Sequence, residues 1–128
     1  MNGVLFINKP ENWTSRDIVN KIGKILETKK VGHTGTLDPM AKGVLIICVG
    51  RYTKLVDLLT ASSKEYKVEM KLGIKTDTAD ITGNVLERQD IIISEETIKK
   101  TFQEFPKEYN QKVPIYSAVK VNGKKLYA

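Results

Sequence analysis

The sequence predicts an α+β fold with a mixed, mainly antiparallel sheet flanked by helices. Short apolar or alternating runs, typical of strands, are interspersed with segments of helical periodicity. Asn122-Gly123 is a strong hairpin signal, whereas regular strand-helix-strand units, which would indicate a parallel doubly wound sheet, are missing. Apolar residues make up 41% of the 128-residue chain and charged residues 28%, so we expect one packed domain, or part of one.

The first predicted elements are a strand and a helix. The apolar run at 3–8 is followed by Lys9-Pro10, and it predicts a buried strand that ends there because proline cannot continue a sheet ladder. Thr14 and Asp17 have the spacing of a capping box at the start of a helix. The apolar residues that follow lie on one face of this predicted helix: Ile18, Val19, Ile22, Ile25 and Leu26. We expect this helix to end between residues 27 and 30.

The middle of the chain predicts a loop, a buried strand and a short helix. Residues 31–43 hold three glycines and a proline among small polar residues, which is typical of a shaped loop. The apolar run at 43–50 predicts a fully buried strand, and 52–59 a short helix. Residues 64–73 then alternate without a break and form the clearest predicted strand: Tyr66, Val68, Met70 and Leu72 point one way, and Glu65, Lys67, Glu69 and Lys71 the other.

The last third predicts a polar loop at 76–84, a strand near 85–88 and a helix that begins after a Ser94 cap and runs through Ile98, Phe102 and Phe105. A hairpin around Asn122-Gly123 follows. Because only five residues come after Gly123, we expect the natural chain to continue beyond Ala128.

Charge and cysteine usage indicate a class of partner and a compartment. Lys and Arg total 21 against 15 Asp and Glu, a net charge of +6 that suits a polyanion, although many proteins without a nucleic-acid role are as basic. From Lys112 to the last residue, the sequence has no Asp or Glu to balance Lys112, Lys120, Lys124 and Lys125. The lone Cys48 lies in an apolar run, which favours a reducing cytosol. Without an apolar stretch of membrane-span length or a secretion signal, we expect a soluble, cytoplasmic protein.

The chain has one histidine and one cysteine, and this excludes several kinds of catalytic and metal site. A zinc site of the usual kind is excluded. His33 has neither a G-x-S-x-G elbow nor the H-x-E signature of nucleotide deaminases. The segment from Gly32 to Gly35 is neither a Walker loop nor a dinucleotide fingerprint, but it has the G-x-x-G spacing of KH-type RNA clamps.

Asp38, in the same loop, has two interpretations. An aspartate before a proline in a glycine-rich loop commonly ends a segment or caps a helix that starts at the proline, here Pro39. An aspartate on a rigid loop beside apolar strands is also suited to act as a nucleophile or general base. The residues alone leave both interpretations open.

Several blocks of the sequence resemble the TruB family of tRNA pseudouridine synthases. The blocks are Gly3-Val-Leu-Phe-Ile-Asn-Lys-Pro10 with Thr14-Ser15, Lys30-Val-Gly-His-Thr-Gly-Thr-Leu-Asp-Pro-Met-Ala-Lys-Gly-Val-Leu45, Gly50-Arg-Tyr-Thr-Lys-Leu55, Lys64-Glu-Tyr66, Leu72-Gly73, Thr76-Asp-Thr-Ala-Asp80 with Gly83, Pro114-Ile-Tyr-Ser-Ala-Val-Lys120 and Asn122-Gly-Lys-Lys-Leu-Tyr127. They follow one another in the family's order, so the resemblance covers essentially the whole chain.

The resemblance implies a pseudouridine synthase catalytic fold and a role for each matching residue. Asp38 is implied to be the catalytic nucleophile that breaks the glycosidic bond of a uridine, and Tyr66 to stack on the flipped uracil and help to remove the proton from its ring carbon. Matching residues that bind the RNA substrate are His33, Gly32, Thr34 and Gly35. Structural support of the site is assigned to Lys9, Pro10 and Leu37. No metal or organic cofactor is implied.

The resemblance also implies the substrate, which is uridine 55 in the T-loop of transfer RNA, bound by a monomer that needs no protein partner. Residues 1–128 match the N-terminal part of the family's catalytic domain. The rest of that domain, with an arginine that pairs with the catalytic aspartate, and commonly a C-terminal RNA-binding domain, are expected beyond Ala128. We therefore expect residues 1–128 alone to be weakly active or inactive.

Two alternatives remain. The 128 residues could be a non-catalytic RNA-binding fragment, or they could belong to the related guide-dependent pseudouridine synthase of a ribonucleoprotein. The second alternative is disfavoured because the chain opens almost directly at Gly3-Val-Leu, without the N-terminal extension expected there.

Overall fold

The computed structural model describes residues 1–110, together with the strand backbone at 120–121 and 124–125. The chain forms two compact units, Met1–Tyr66 and Lys67–Ala128. Helices and antiparallel strands occur in both, as the predicted α+β class requires. Among the described residues, none of the helices has the length and apolar character needed to cross a membrane.

The first unit is built on a three-stranded antiparallel sheet in the order β1-β3-β2. The strands are β1 (Gly3–Lys9), β2 (Val31–His33) and β3 (Gly43–Val49), with Lys9 opposite Gly43 and His33 opposite Ile47. Strands β1 and β3 confirm the sequence prediction. The prediction was wrong for 31–33, which were assigned to the loop. These three residues are too few to show alternation, and they form a strand because they pair with the edge of β3.

Helix α1 (Ser15–Ile25) packs on one face of this sheet and confirms the predicted capping box. The Thr14 hydroxyl accepts the Asp17 amide hydrogen bond at 3.1 Å, and the Asp17 carboxylate accepts that of Thr14 at 2.9 Å. The helix ends slightly earlier than predicted, because Glu27 has a left-handed φ of 49°. Ile25 lies at the edge of the predicted apolar face and is 62% exposed. The buried core consists of Ile18, Val19, Leu45, Ile47 and Val49.

After β3, the first unit continues with two short helical segments. A 3-10 helix (Gly50–Leu55) leads directly into α2 (Val56–Thr60), which confirms the predicted short helix. Gly50 has a φ of 64°, and a Cβ atom there would overlap the side chain of Asn2. Strand β3 was predicted to be fully buried, but Val44 is 69% exposed. On β1, Phe6 is 72% exposed. Cys48 is a buried free thiol, and burial raises its pKa.

The described part of the second unit contains two small two-stranded sheets and a helix. Strand β4 (Ile74–Thr76) pairs antiparallel with β5 (Val85–Arg88), as predicted for 85–88. Helix α3 (Glu95–Glu104) confirms the Ser94 cap, whose hydroxyl accepts the Thr97 amide hydrogen bond at 3.2 Å. Strands β6 (Lys120–Val121) and β7 (Lys124–Lys125) pair antiparallel on either side of the predicted turn. Asn122-Gly123 itself lies outside the described residues.

The strand predicted for residues 64–73 does not form in the structure. Tyr66, Val68 and Met70 are 62%, 79% and 65% exposed. Alternation determines which side chains point the same way, but a strand also needs a hydrogen-bonded neighbour. None of the strands in the described part of the chain pairs with this segment, which explains why the prediction was wrong.

Candidate functional site

Asp38 lies on the loop between β2 and β3, at the first position of a tight turn. Its carbonyl oxygen accepts the Ala41 amide hydrogen bond at 3.0 Å, with Pro39 second in the turn, where proline is favoured. No helix starts at Pro39, so the helix-cap interpretation of Asp38 is wrong. The Asp38 side chain is exposed and forms no hydrogen bond or ion pair within residues 1–110. The backbone makes the turn, and the carboxylate is left accessible.

Lys9 joins this loop to the end of β1. Its side chain is fully buried, and Nζ donates hydrogen bonds to the carbonyl oxygens of Pro10 at 2.9 Å, Trp13 at 2.7 Å and Pro39 at 3.2 Å. The Asn12 amide also donates to Pro39, at 2.7 Å. The residue that follows Asp38 is therefore attached to the segment between β1 and α1.

Leu37, which precedes Asp38, is held by the first residue of α1. Its amide donates a 2.9 Å hydrogen bond to the Ser15 hydroxyl oxygen, and its side chain packs against the core. Sequence reasoning did not single out Ser15 as a site residue. The only local signal was its place after the Thr14 cap, and the contact spans 22 residues of chain.

A cavity of about 220 Å³ lies beside this loop. Its lining includes Thr34, Gly35 and Leu37 from the loop, Ile46 from β3, and Tyr66. Asp38 follows directly after Leu37 but is not itself among the lining residues. Larger depressions in the first unit, of about 560 and 380 Å³, lie along α1 and contain none of the predicted site residues. The structure thus brings Tyr66 and the loop residues that precede Asp38 to one concave region.

The remaining predicted RNA-binding residues have different environments. Gly32 and His33 lie in β2 rather than in a loop, which disfavours a KH-type clamp. The Nδ1 atom of His33 is buried and has no hydrogen-bond partner within residues 1–110. Thr34 is buried, and a Cβ atom on Gly35 would lie 3.6 Å from Cε of Lys64, an ordinary contact.

Metal binding was not expected from the sequence. Across residues 1–110, no group of three or more His, Cys, Asp or Glu side chains could hold a metal ion.

Comparison with known proteins assigns the chain to a family. Residues 23–128 match the model of the TruB family pseudouridylate synthase N-terminal domain. The chain belongs to the TruB family.

Curated relatives of the TruB family agree with this assignment. Proteins named tRNA pseudouridine synthase B are 52% identical to the chain in Bacillus licheniformis and in Bacillus subtilis, over 98% and 99% of its length. The protein of that name from Alkaliphilus oremlandii is 49% identical over 99%. The chain covers 41%, 42% and 42% of these relatives, so it spans less than half of their length.

A solved structure titled "Structure of H/ACA RNP bound to a substrate RNA containing 2'-deoxyuridine" contains a chain that is 43% identical to this one. The match covers 44% of this TruB-family chain and 18% of that chain, with a TM-score of 0.43.

Proposed function

We propose that the full-length gene product is a tRNA pseudouridine synthase that converts uridine 55 of the T-loop to pseudouridine, with Asp38 as the nucleophile. Its curated relatives carry the name tRNA pseudouridine synthase B. The observation that carries the proposal is the position of Asp38. Its carboxylate is accessible on a turn that is hydrogen-bonded on both sides, next to a cavity that Tyr66 lines.

The accessible carboxylate suits covalent catalysis. Carboxylates are nucleophiles at neutral pH and acceptable leaving groups, so they can form a transient bond and later release it. Asp38 attacks the nucleotide at the uracil ring or at the sugar carbon, and the bond between the base nitrogen and the sugar breaks. The uracil turns and is rejoined to the sugar through a ring carbon. That carbon loses its proton, the nitrogen regains one, and the aspartate leaves, so the reaction is a balanced isomerisation.

The cavity has the size and the lining for one extruded base. Its volume of about 220 Å³ is below the roughly 300–1,000 Å³ of pockets for drug-sized ligands. Tyr66 is 62% exposed, so its ring is accessible for stacking on a base. Enzymes that act on a base must first extrude it, and a base in an RNA loop unstacks at low cost.

His33 is proposed to help hold the extruded nucleotide. Its buried Nδ1 atom lacks a hydrogen-bond partner within residues 1–110. An unsatisfied buried polar atom costs about 1–3 kcal/mol. The His33 side chain therefore gains stability when RNA binding rearranges the site and gives Nδ1 a hydrogen-bond partner. Thr34 and Gly35 line the cavity beside it and are proposed to contact the nucleotide.

Charge supports RNA as the partner. The net charge of +6 favours association with phosphates. The proposed enzyme acts as a monomer in the cytoplasm, where a free Cys48 stays reduced.

An RNA modification assay tests the proposal. The full-length gene product is incubated with tRNA radiolabelled in uracil, and with the same tRNA carrying cytidine in place of uridine 55. We expect pseudouridine from the first RNA and none from the second. Pseudouridine from both would refute the T-loop site, and none from either would refute the synthase function.

A further inference from the structure

Ser15 is a buried hydroxyl at the start of α1. The residue is 2% exposed, and it is not the helix cap, because the neighbouring Thr14 provides the capping hydroxyl. A buried hydroxyl is stable only when it is hydrogen-bonded. The Ser15 oxygen accepts from the Leu37 amide at 2.9 Å and donates towards the Leu37 carbonyl oxygen at 3.4 Å. One side chain therefore engages both polar backbone groups of Leu37.

The opposite flank of Asp38 is held independently. The Pro39 carbonyl oxygen accepts from the Asn12 amide and from Lys9 Nζ. Asp38 thus lies between two residues whose backbones are hydrogen-bonded to the stretch from Lys9, the last residue of β1, to Ser15, the first residue of α1. Because the loop has no sheet or helix hydrogen bonds of its own at Leu37, the hydrogen bonds that hold the Leu37 backbone, just before Asp38, come from the Ser15 hydroxyl.

Ser15 is a more selective anchor than Lys9. The Lys9 ammonium also satisfies the carbonyls of Pro10 and Trp13, so its loss would disturb the end of β1. The hydrogen bonds of the Ser15 hydroxyl within residues 1–110 both go to Leu37. Removal of this hydroxyl acts on the loop, while the fold around α1 keeps its cap.

We propose that Ser15 is a positioning residue, whose hydroxyl holds the Leu37 backbone so that the Asp38 carboxylate is preset at the edge of the cavity. This inference rests on the proposed function, in which that carboxylate attacks the nucleotide. Attack requires the reacting atoms to be held within a few tenths of an ångström of the productive geometry, and a displacement of about 1 Å can cost 10²-fold in rate. A flexible loop would still bind RNA but would react slowly.

The matched control is the neighbouring Thr14. Its side chain contacts Asp17 on the first turn of α1 and makes no hydrogen bond to the Asp38 loop within residues 1–110. Thr14→Ala therefore weakens α1 without freeing Leu37. If the role of Ser15 is purely structural, Ser15→Ala and Thr14→Ala should lower the rate equally when they lose equal stability. If Ser15 is a positioning residue, their effects on the rate should differ.

The experiment measures three quantities on the full-length gene product and on its Ser15→Ala, Ser15→Cys and Thr14→Ala variants. The quantities are the single-turnover rate of pseudouridine formation with enzyme in excess over tRNA, the Kd for tRNA, and amide hydrogen exchange at Leu37. Cysteine is slightly larger than serine and keeps a polar hydrogen in the same place, but it forms weaker hydrogen bonds. If Ser15→Ala does not fold, the comparison is made with Ser15→Cys.

We expect Ser15→Ala to lower the single-turnover rate by about tenfold or more and to leave the Kd within about threefold of wild type. Exchange at Leu37 should accelerate in Ser15→Ala, and to a smaller extent in Ser15→Cys, but not in Thr14→Ala. A wild-type rate in Ser15→Ala, or an equal loss of rate in Thr14→Ala, would overturn the proposal.

The exchange measurement separates this proposal from the proposed function. If the wild-type protein makes no pseudouridine, the proposed function fails, and exchange at Leu37 still decides whether Ser15 holds the loop. Acceleration confined to the Ser15 variants supports that role. Unchanged exchange at Leu37 in those variants refutes it whatever the activity.

Discussion

The buried ammonium group of Lys9 donates a hydrogen bond to the carbonyl oxygen of Pro39 at 3.2 Å, across 30 residues of chain. It also donates to the carbonyl oxygens of Pro10 and Trp13. A lysine ammonium has three donors, and Lys9 uses all of them. A buried charge is tolerated only when it is satisfied in this way, so Lys9 ties the end of β1 to the residue after Asp38.

Lys9→Met should destabilise the protein, because methionine fills similar space but leaves three carbonyl oxygens without this donor. We expect a loss of about 2–3 kcal/mol in the free energy of unfolding, measured by urea titration of the full-length gene product. Lys42→Met is the control, since Lys42 is 69% exposed and lies 3.7 Å from Glu11 in a surface ion pair. That variant should lose no more than about 1 kcal/mol. Equal stability of the two variants would contradict the role of Lys9.

Thr14→Ala should remove the cap of α1 and lower the free energy of unfolding by about 1 kcal/mol near neutral pH. The Thr14 hydroxyl accepts the Asp17 amide hydrogen bond, which alanine cannot replace. Thr60→Ala is the comparison, because the Thr60 hydroxyl is exposed and donates to the Val56 carbonyl within α2 without capping a helix start. A Thr14→Ala variant as stable as wild type would show that the cap contributes nothing.

The capping box should also make stability depend on pH. Hydrogen bonds from the Thr14 side chain, and then from its backbone, hold the pKa of Asp17 below its ordinary value of 3.8. A lowered pKa in the folded state stabilises the fold above pH 3.8, and this contribution is lost as the pH falls from there through the folded-state pKa. The stability difference between wild type and Thr14→Ala should therefore shrink in acid.

Carboxyl NMR titration measures this effect directly. In Thr14→Ala the pKa of Asp17 should rise towards 3.8. The pKa of Asp80, which hydrogen bonds from Thr82 and Thr78 lower, should stay the same and serves as the internal control. An unchanged pKa of Asp17 in this variant would refute the Thr14 hydroxyl as the main cause of the lowered value.

Tyr66→Phe should keep the ring that lines the cavity and remove only its hydroxyl. If the hydroxyl helps to remove a proton, the single-turnover rate should fall by roughly 10²–10⁴-fold while tRNA binding is retained. Tyr52→Phe is the matched control, because Tyr52 is a partly exposed tyrosine outside the cavity. A wild-type rate in Tyr66→Phe would limit Tyr66 to stacking.

Local sequence signals predicted most of the elements. The caps at Thr14 and Ser94 each depend on atoms within three residues, so the sequence carries all the information they need. The strands at 3–9 and 43–49 were predictable because their apolar runs pair with each other in one sheet and one face of the pair packs against α1. The chemistry of Asp38 was not predictable from residue patterns, and its role as nucleophile stays a prediction that the family resemblance supplied.

Contacts between distant residues could not be predicted. The alternation at 64–73 indicated a strand but carried no information about a partner for it. The burial of Lys9, a residue type that is normally exposed, depends on carbonyl groups as far away as Pro39. Likewise, the hydrogen bond between Ser15 and Leu37 forms only once α1 and the loop are folded together.

The most direct test of Asp38 as the nucleophile replaces it by asparagine in the full-length gene product, which removes the negative charge and keeps the shape of the side chain. We measure pseudouridine formation and the Kd for tRNA, with Asp57→Asn on the exposed side of α2 as the control. We predict no pseudouridine from Asp38→Asn, tRNA binding close to wild type, and full activity of Asp57→Asn. Pseudouridine formation by Asp38→Asn at the wild-type rate would contradict the assignment of the nucleophile.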